Sequence, residues 1–111
     1  DSATKVCSSP ENEELLMKRI QTYVHDSPRI VSELDMAIRN QDATAMFQAA
    51  HKLKGSSVHF GATRLVALCS ELEILGRART TEGADEVLTE IKTQYDEIQA
   101  ALSERLEKSP I

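Results

Sequence analysis

The chain has 111 residues, of which 41% are hydrophobic and 28% are charged. This composition is typical of one globular domain that can bury a core without metal or disulfide support. The formal net charge of −5 argues against nucleic acid or an anionic membrane surface as the main partner, and no apolar run approaches the length of a membrane span.

The composition along the chain predicts one folded domain between two short ends. Residues 1–9 are small and polar and predict a flexible leader or linker, residues 10–107 form the predicted helical domain, and residues 108–111 are expected to fray. Cys7 lies in the leader and Cys69 lies in an apolar helical pattern, which indicates a small core residue. A Cys7–Cys69 disulfide is an open alternative that no pattern supports, and a reducing compartment is the simpler expectation.

Apolar periodicity and capping signals predict five helices. Pro10 at a first helical position and Asp42 before an apolar repeat mark two starts, and Gly61 marks a stop. The segment around His25 and Pro28 breaks the pattern and predicts a turn. The predicted helices cover residues 10–24, 28–40, 43 to about 60, 62–77 and 84–106.

No segment alternates with a period of two, so no strand is expected. The last four predicted helices are amphipathic and have short connections. They predict an all-α fold, an antiparallel up-down-up-down four-helix bundle, and the first helix is predicted to be an additional short N-terminal cap. Glu71 and Glu73 are expected to point away from the inner face of the fourth predicted helix.

The third predicted helix carries an unusual outer face. A step of about 100° per residue places His51 opposite the inward stripe and places Lys54 and Gly55 beside it. A glycine inside a helix destabilises it by about 1 kcal/mol relative to alanine, so Gly55 indicates a packing or functional role at this position. Residues 43–70 contain no Asp or Glu, although the chain as a whole is acidic. The predicted inward stripe is Met46, Ala49, Leu53, Ser56 and Phe60.

These features suit an imidazole that carries a phosphoryl group. A neutral imidazole nitrogen is a nucleophile, and histidine is neutral in a useful fraction at pH 7. A nearby ammonium group such as that of Lys54 would stabilise phosphate oxygens, and Gly55 would leave room for a partner molecule. Taken singly, each feature has an ordinary explanation: a surface histidine, a packing glycine and solvated lysines.

The run Ala50-His51-Lys52-Leu53-Lys54-Gly55-Ser56-Ser57, followed by Gly61-Ala62, Leu65, Leu68-Cys69 and Leu72-Glu73, resembles the histidine-containing phosphotransfer (HPt) domain of multistep phosphorelays. The resemblance implies a four-helix bundle and a phosphocarrier. In this role His51 accepts a phosphoryl group from a receiver-domain aspartate and passes it to another receiver. Lys54 would stabilise the phosphate and Gly55 would give clearance for docking. The expected partner-binding residues are Phe47, Gln48, Lys52, Val58 and His59.

The resemblance also carries expectations about context. The domain would need no cofactor, and Mg²⁺ is expected in the partner receiver. Receiver domains are the expected donors and acceptors of the phosphoryl group, with no nucleic acid and no direct membrane contact. The domain is expected to be a cytoplasmic monomer. The polar leader and the absence of an initial Met favour the C-terminal module of a hybrid sensor histidine kinase, whose parent protein would have room for an inner-membrane anchor. A free-standing carrier stays open as the alternative.

Other functions have less support in the sequence. No Glu-x-x-His pair precedes His25, His51 or His59, so a metal-binding bundle is not predicted. No glycine-rich loop with a phosphate-binding lysine is present, so ATP is not the expected direct donor. His59 is the rival phosphoacceptor, but no lysine and glycine follow it at the same spacing. A docking module that binds a receiver through the same face without transfer, and a purely structural bundle, both stay open.

Overall fold

The structure, a computed structural model, describes residues 10–108. Within this range the fold consists of four α-helices and one 3-10 turn, without a strand. The predicted leader with Cys7, and residues 109–111 of the predicted frayed end, lie outside the described residues; the domain limits stay a prediction. The elements are α1 (Pro10–Arg39), α2 (Ala43–Ser57), the 3-10 turn (Val58–Phe60), α3 (Thr63–Arg77) and α4 (Ala84–Glu107).

The four helices form the predicted all-α bundle. Each helix packs against its neighbours in the chain, and α4 closes the bundle by packing against α1. The core lies where all four helices run side by side and is built mainly from aliphatic side chains. Its fully buried large residues include Ile20, Leu34, Met46, Leu53, Leu65, Leu68, Leu72 and Ile91.

The helices differ in length, and this shapes the molecule. Helix α1 has 30 residues and α4 has 24, whereas α2 and α3 have 15 residues each. At 1.5 Å per residue, α1 is roughly 45 Å long, about twice the length of α2. Part of the α1–α4 pair therefore extends beyond the other two helices. Along the apolar face of α4, accordingly, Leu88, Ile91 and Tyr95 are buried, whereas Ile98 and Leu102 are only half-buried.

The predicted break at His25–Pro28 is wrong, and so is the separate N-terminal cap helix. Residues 10–39 form one continuous helix with Pro28 inside it. Proline has no N–H, so the carbonyl of Val24, four residues earlier, loses its intrahelical donor. The side chain of Gln99, on α4, replaces that donor: its Nε2 lies 3.1 Å from the Val24 carbonyl oxygen.

Ser27 also serves the helix interior instead of a turn. Its buried hydroxyl donates to the Tyr23 carbonyl oxygen at 2.5 Å and lies 2.7 Å from the Tyr95 hydroxyl. Because the single Ser27 hydrogen goes to the carbonyl, the Tyr95 hydroxyl donates to Ser27. The sequence around Ser27 and Pro28 predicts a turn, but here its polar groups form hydrogen bonds with α1 itself and with α4, so the helix continues.

We expect the substitution Gln99→Leu to destabilise the domain because the half-buried Val24 carbonyl would lose its donor. The same substitution should cost about 1 kcal/mol less in a Pro28→Ala background, where the backbone at position 28 regains an N–H that can bond the Val24 carbonyl. Urea unfolding of the four proteins measures this coupling. Gln99 Oε1 has no partner among the described residues, and its removal affects both backgrounds alike. Equal costs in the two backgrounds would contradict the assignment.

Helices α2 and α3 are in close contact at Gly76. A Cβ atom at this position would lie only 2.7 Å from the Phe47 Cβ and 3.1 Å from the Ala43 carbonyl oxygen. Real Cβ atoms do not come this close to their neighbours, so only glycine fits there without a shift. The contact brings the preceding turn of α3, with Glu73, alongside the outer face of α2.

The expectations for Cys69 and Gly61 hold. Cys69 is a free, fully buried core residue, and burial raises the pKa of its thiol to about 12, which keeps the thiol protonated. Gly61 ends the 3-10 turn with a left-handed backbone (φ 66°). The third predicted helix is corrected in detail, because the α-helix ends at Ser57 and the turn continues to Phe60. Across residues 10–108, no helix has both the length and the hydropathy needed to cross a bilayer.

Candidate functional site

The register of α2 is set at its first turn. Asp42 is the N-cap, as predicted, and its carboxylate accepts a hydrogen bond from the Ala45 N–H at 3.1 Å. From this start the buried side of the helix consists of Met46, Ala49, Ala50, Leu53 and Ser57. His51 lies outside that stripe, and 67% of its side chain is exposed.

The prediction that Ser56 belongs to the inward stripe of α2 is wrong. Ser57, not Ser56, is fully buried, and its hydroxyl lies 2.9 Å from the Tyr23 hydroxyl. Ser56 is only half-buried and donates to the Lys52 carbonyl oxygen at 3.1 Å. Both serines thus make hydrogen bonds within the fold.

Glu73 is the residue that sequence reasoning missed. It was expected to point away from the inner face of its helix, but it is buried, with 5% of its surface exposed. Its Oε2 lies 2.7 Å from His51 Nδ1 and its Oε1 lies 2.5 Å from Lys54 Nζ. The carboxylate therefore joins the exposed histidine of α2 to the lysine one turn later.

This contact determines which ring nitrogen of His51 carries the proton. An ionised carboxylate only accepts hydrogen bonds, so the Nδ1 atom of a neutral ring must be the donor. The hydrogen-bond pattern thereby assigns the lone pair to Nε2. His51 then presents an unprotonated nitrogen on a largely exposed ring.

The charged state of Glu73 results from two opposing effects. Burial by itself raises the pKa of the Glu73 carboxyl group, but the hydrogen bonds from Lys54 and His51 outweigh burial, so its pKa is lowered overall. Glu73 is therefore a carboxylate at neutral pH. Charge neutralisation by a lysine and hydrogen bonding by a histidine make its burial tolerable.

Lys52 and Lys54 lie in the stretch without Asp or Glu, but carboxylates on other helices compensate their positive charge. Glu73 of α3 pairs with Lys54, and Glu33 of α1 lies 3.5 Å from Lys52 Nζ. The sequence of α2 alone does not reveal carboxylates that other helices bring next to its lysines. One signal could have pointed to Glu73: it follows Leu72 in the quoted motif and lies four residues after Cys69, at the flank of the inner stripe.

Gly55 lies on the exposed side of α2, four residues after His51. A Cβ atom built on Gly55 would have no neighbour within 4 Å outside the local helix backbone. The alternative of a packing glycine therefore has no support in the structure, and Gly76 has that role instead. Open space beside the imidazole is what the clearance hypothesis requires.

The five expected partner-binding residues are spread around His51. The Phe47 ring is parallel to the His51 ring, with centroids 6.1 Å apart, and the Arg77 guanidinium lies 5.5 Å from the Phe47 ring centroid. Phe47 is thus half-buried on the α3 side. Gln48 and Lys52 face α1, whereas Val58 (55% exposed) and His59 lie on the 3-10 turn. The structure thus places Phe47 beside α3, Gln48 and Lys52 beside α1, and Val58 and His59 on the turn.

A groove of about 630 Å³ runs between α1 and α2 and includes His51 in its wall. Its floor is apolar and aromatic, and its rim carries most of its charged groups. Of the predicted residues it brings together His51, Lys52, Gly55 and His59. From α1 it is lined by residues including Lys18, Arg19, Tyr23, Asp26 and Ile30, and from the 3-10 turn by His59 and Phe60.

The side chains around His51 do not form a metal-ligand set. Across residues 10–108, no group of three or more His, Cys, Asp or Glu side chains is placed to hold a metal ion. The carboxylate nearest to His51 is occupied by a histidine and a lysine. The described residues therefore offer organic acid–base and nucleophilic groups at this site.

Comparisons with known proteins agree with this geometry. Residues 19–101 match the family described as Hpt domain. "Histidine-containing phosphotransfer protein 4" of Arabidopsis thaliana is 26% identical over 89 residues, which are 78% of this chain and 70% of that protein. The crystal structure of histidine-containing phosphotransfer protein B from Pseudomonas aeruginosa PAO1 superposes with a TM-score of 0.82 at 24% identity, covering 96% of this chain and 90% of that one. Because the family match spans most of the chain, this protein belongs to the Hpt domain family, and its relatives support a role as a phosphorelay phosphocarrier.

Proposed function

We propose that the domain carries a phosphoryl group on His51, which receives it from an aspartyl phosphate of one receiver domain and passes it to the aspartate of a second. The observation that carries this proposal is the 2.7 Å hydrogen bond between His51 Nδ1 and Glu73 Oε2. It holds the exposed ring in the tautomer whose Nε2 has a lone pair available for attack.

The proposed transfer needs no additional proton acceptor, because no proton leaves His51. The Nε2 lone pair forms the N–P bond while the O–P bond to the receiver aspartate breaks, and the carboxylate leaves with that electron pair. The imidazole ring becomes cationic and keeps its proton on Nδ1. Glu73 faces that proton and stabilises the positive charge as it develops. Transfer to the second receiver is the same step in reverse.

Lys54 would stabilise the phosphoryl oxygens. Its ammonium has three N–H donors, and one of them is engaged by Glu73. The side chain is 31% exposed, so the other donors can turn towards an incoming group. Glu73 thus supports the nucleophile and anchors the cation beside it.

Docking and charge neutralisation complete the proposal. Gly55 leaves the backbone beside His51 uncovered, so that a receiver can bring its phosphoaspartate close to the ring. Mg²⁺ bound in the receiver would offset the negative charge of the phosphoryl group. Phe47, Gln48, Lys52, Val58 and His59 are proposed as contacts around the reacting atoms. The cytoplasmic location, the monomeric state and the origin from a hybrid sensor kinase stay predictions.

The test is transfer from a receiver domain labelled with acetyl [³²P]phosphate to the purified carrier. We expect rapid labelling of the carrier and loss of label from the receiver. The carrier label should be acid-labile and base-stable, as a phosphoramidate is, and it should return to an unlabelled receiver. Receiver binding without any transfer would instead establish the alternative docking module.

A further inference from the structure

Two adjacent cations, Lys18 and Arg19, lie at one end of the groove between α1 and α2. Both are exposed residues of the α1 wall, and no ion pair joins either of them to a carboxylate among residues 12–108. Lys52 and Lys54, by contrast, are paired with Glu33 and Glu73. Lys18 and Arg19, called the basic pair below, are therefore available to a partner that occupies the groove.

The basic pair lies along the groove from His51 and not beside it. The bond between Tyr23 and Ser57 marks one level at which α1 and α2 meet. His51 lies six residues before Ser57 on α2, and Lys18 lies five residues before Tyr23 on α1. Because the two helices are antiparallel, these steps run in opposite directions. At 1.5 Å per residue, Lys18 and His51 are therefore roughly 16 Å apart along the helix axes, too far for Lys18 to contact a phosphoryl group on His51.

One partner can nevertheless cover both positions. A standard protein–protein interface buries about 800 Å² per partner, which is a patch roughly 30 Å across. The groove offers the half-buried side chains of Ile30 and Phe60 as apolar contacts, and the Phe60 ring packs against the buried ring of Tyr23. A receiver that docks along the groove to reach His51 would therefore place its far edge over Lys18 and Arg19.

We propose that Lys18 and Arg19 are specificity-determining residues that select receiver domains with carboxylates at that far edge of the docking surface. The inference rests on the proposed function. It follows from charge complementarity and from the continuity of the groove with the His51 surface. Charges at the rim of an interface act mainly on the association rate and on its salt dependence, so the basic pair should govern partner choice and not the chemical step.

The experiment compares the double variant Lys18→Glu/Arg19→Glu with the wild-type domain in quench-flow transfer. The donor is the labelled receiver that transfers fastest to the wild type. At low salt we expect the second-order rate constant to fall about 10-fold or more, and the difference to shrink at about 0.5 M salt. The first-order rate at saturating carrier should stay within about two-fold, because the reacting groups are unchanged.

A matched control separates this effect from net charge. The variant Arg105→Glu/Lys108→Glu makes the same change of charge on α4, outside the groove, and should transfer at the wild-type rate. Changing a carboxylate of the receiver edge to Lys should restore the rate of the Lys18→Glu/Arg19→Glu variant. The proposal is overturned if both double variants slow transfer alike, or if the saturated rate falls instead. Absence of transfer to the wild-type domain from every receiver would overturn the proposed function itself, and this inference with it.

Discussion

Replacing His51 with glutamine is expected to abolish phosphoryl labelling of the domain, with a loss of at least about 10³-fold. Glutamine is neutral and of comparable length, but its amide nitrogen has no lone pair that can attack phosphorus. The side chain at this position is largely exposed, so the substitution should leave the fold intact. Labelling by a phospho-receiver, circular dichroism and receiver binding measure the three quantities on the same preparation.

The matched control for this prediction is His59→Gln. His59 is exposed and lines the same groove, but it belongs to the 3-10 turn and no hydrogen bond to a carboxylate orients it among the described residues. We expect the His59→Gln variant to be labelled to the same final extent as the wild-type domain, although the loss of a proposed docking contact lowers the rate of labelling. If the label persists in the His51→Gln variant and disappears in the His59→Gln variant, His59 is the phosphoacceptor.

Helical phase was sufficient to predict the exposed part of the site. A step of about 100° per residue placed His51, Lys54 and Gly55 on one side of a single helix, and the structure places them there. The same phase predicted Ser56 as the buried serine, yet Ser57 is the buried one. A position near the edge of an apolar stripe can be buried or exposed, and the packing of neighbouring helices decides between them.

The errors share a physical cause, because each depends on a partner far away in the chain. Pro28 ends helices when its missing N–H leaves a carbonyl unsatisfied, but Gln99, on another helix, satisfies that carbonyl here. Glu73 reads as a surface residue until His51 and Lys54 are brought against it by the close approach at Gly76. Local sequence patterns do not identify the distant residues with which these polar groups form hydrogen bonds.

The second large effect is expected at Glu73, which acts as a positioning residue. The substitution Glu73→Ala should lower the transfer rate about 100-fold, or about 2.7 kcal/mol in activation free energy. It removes the acceptor that holds the Nδ1 proton of His51, and it frees Lys54 from its anchor. The conservative Glu73→Gln variant keeps a carbonyl acceptor for Nδ1–H but loses the charge, so it should recover part of the rate.

A purely structural role for Glu73 would be recognised by spectroscopy. ¹⁵N NMR of His51 should show protonated Nδ1 in the wild-type domain, a similar spectrum in Glu73→Gln, and a shift towards protonated Nε2 in Glu73→Ala. If the Glu73→Ala variant transfers slowly but its His51 tautomer is unchanged, the positioning role is contradicted, and altered packing explains the slow transfer.

The pH dependence of stability gives an independent check on the same carboxylate. Burial opposes its ionised form, but the hydrogen bonds from Lys54 and His51 prevail, and the folded-state pKa of Glu73 is lowered. Stability from this shift is therefore fully present above the unfolded-state value of about 4.3 and is lost as the pH falls through the folded pKa. Relative to Glu73→Gln, which does not titrate, the wild-type domain should lose unfolding free energy below about pH 4. Parallel stability curves for the two proteins across that range would mean that Glu73 is not held as a carboxylate by His51 and Lys54.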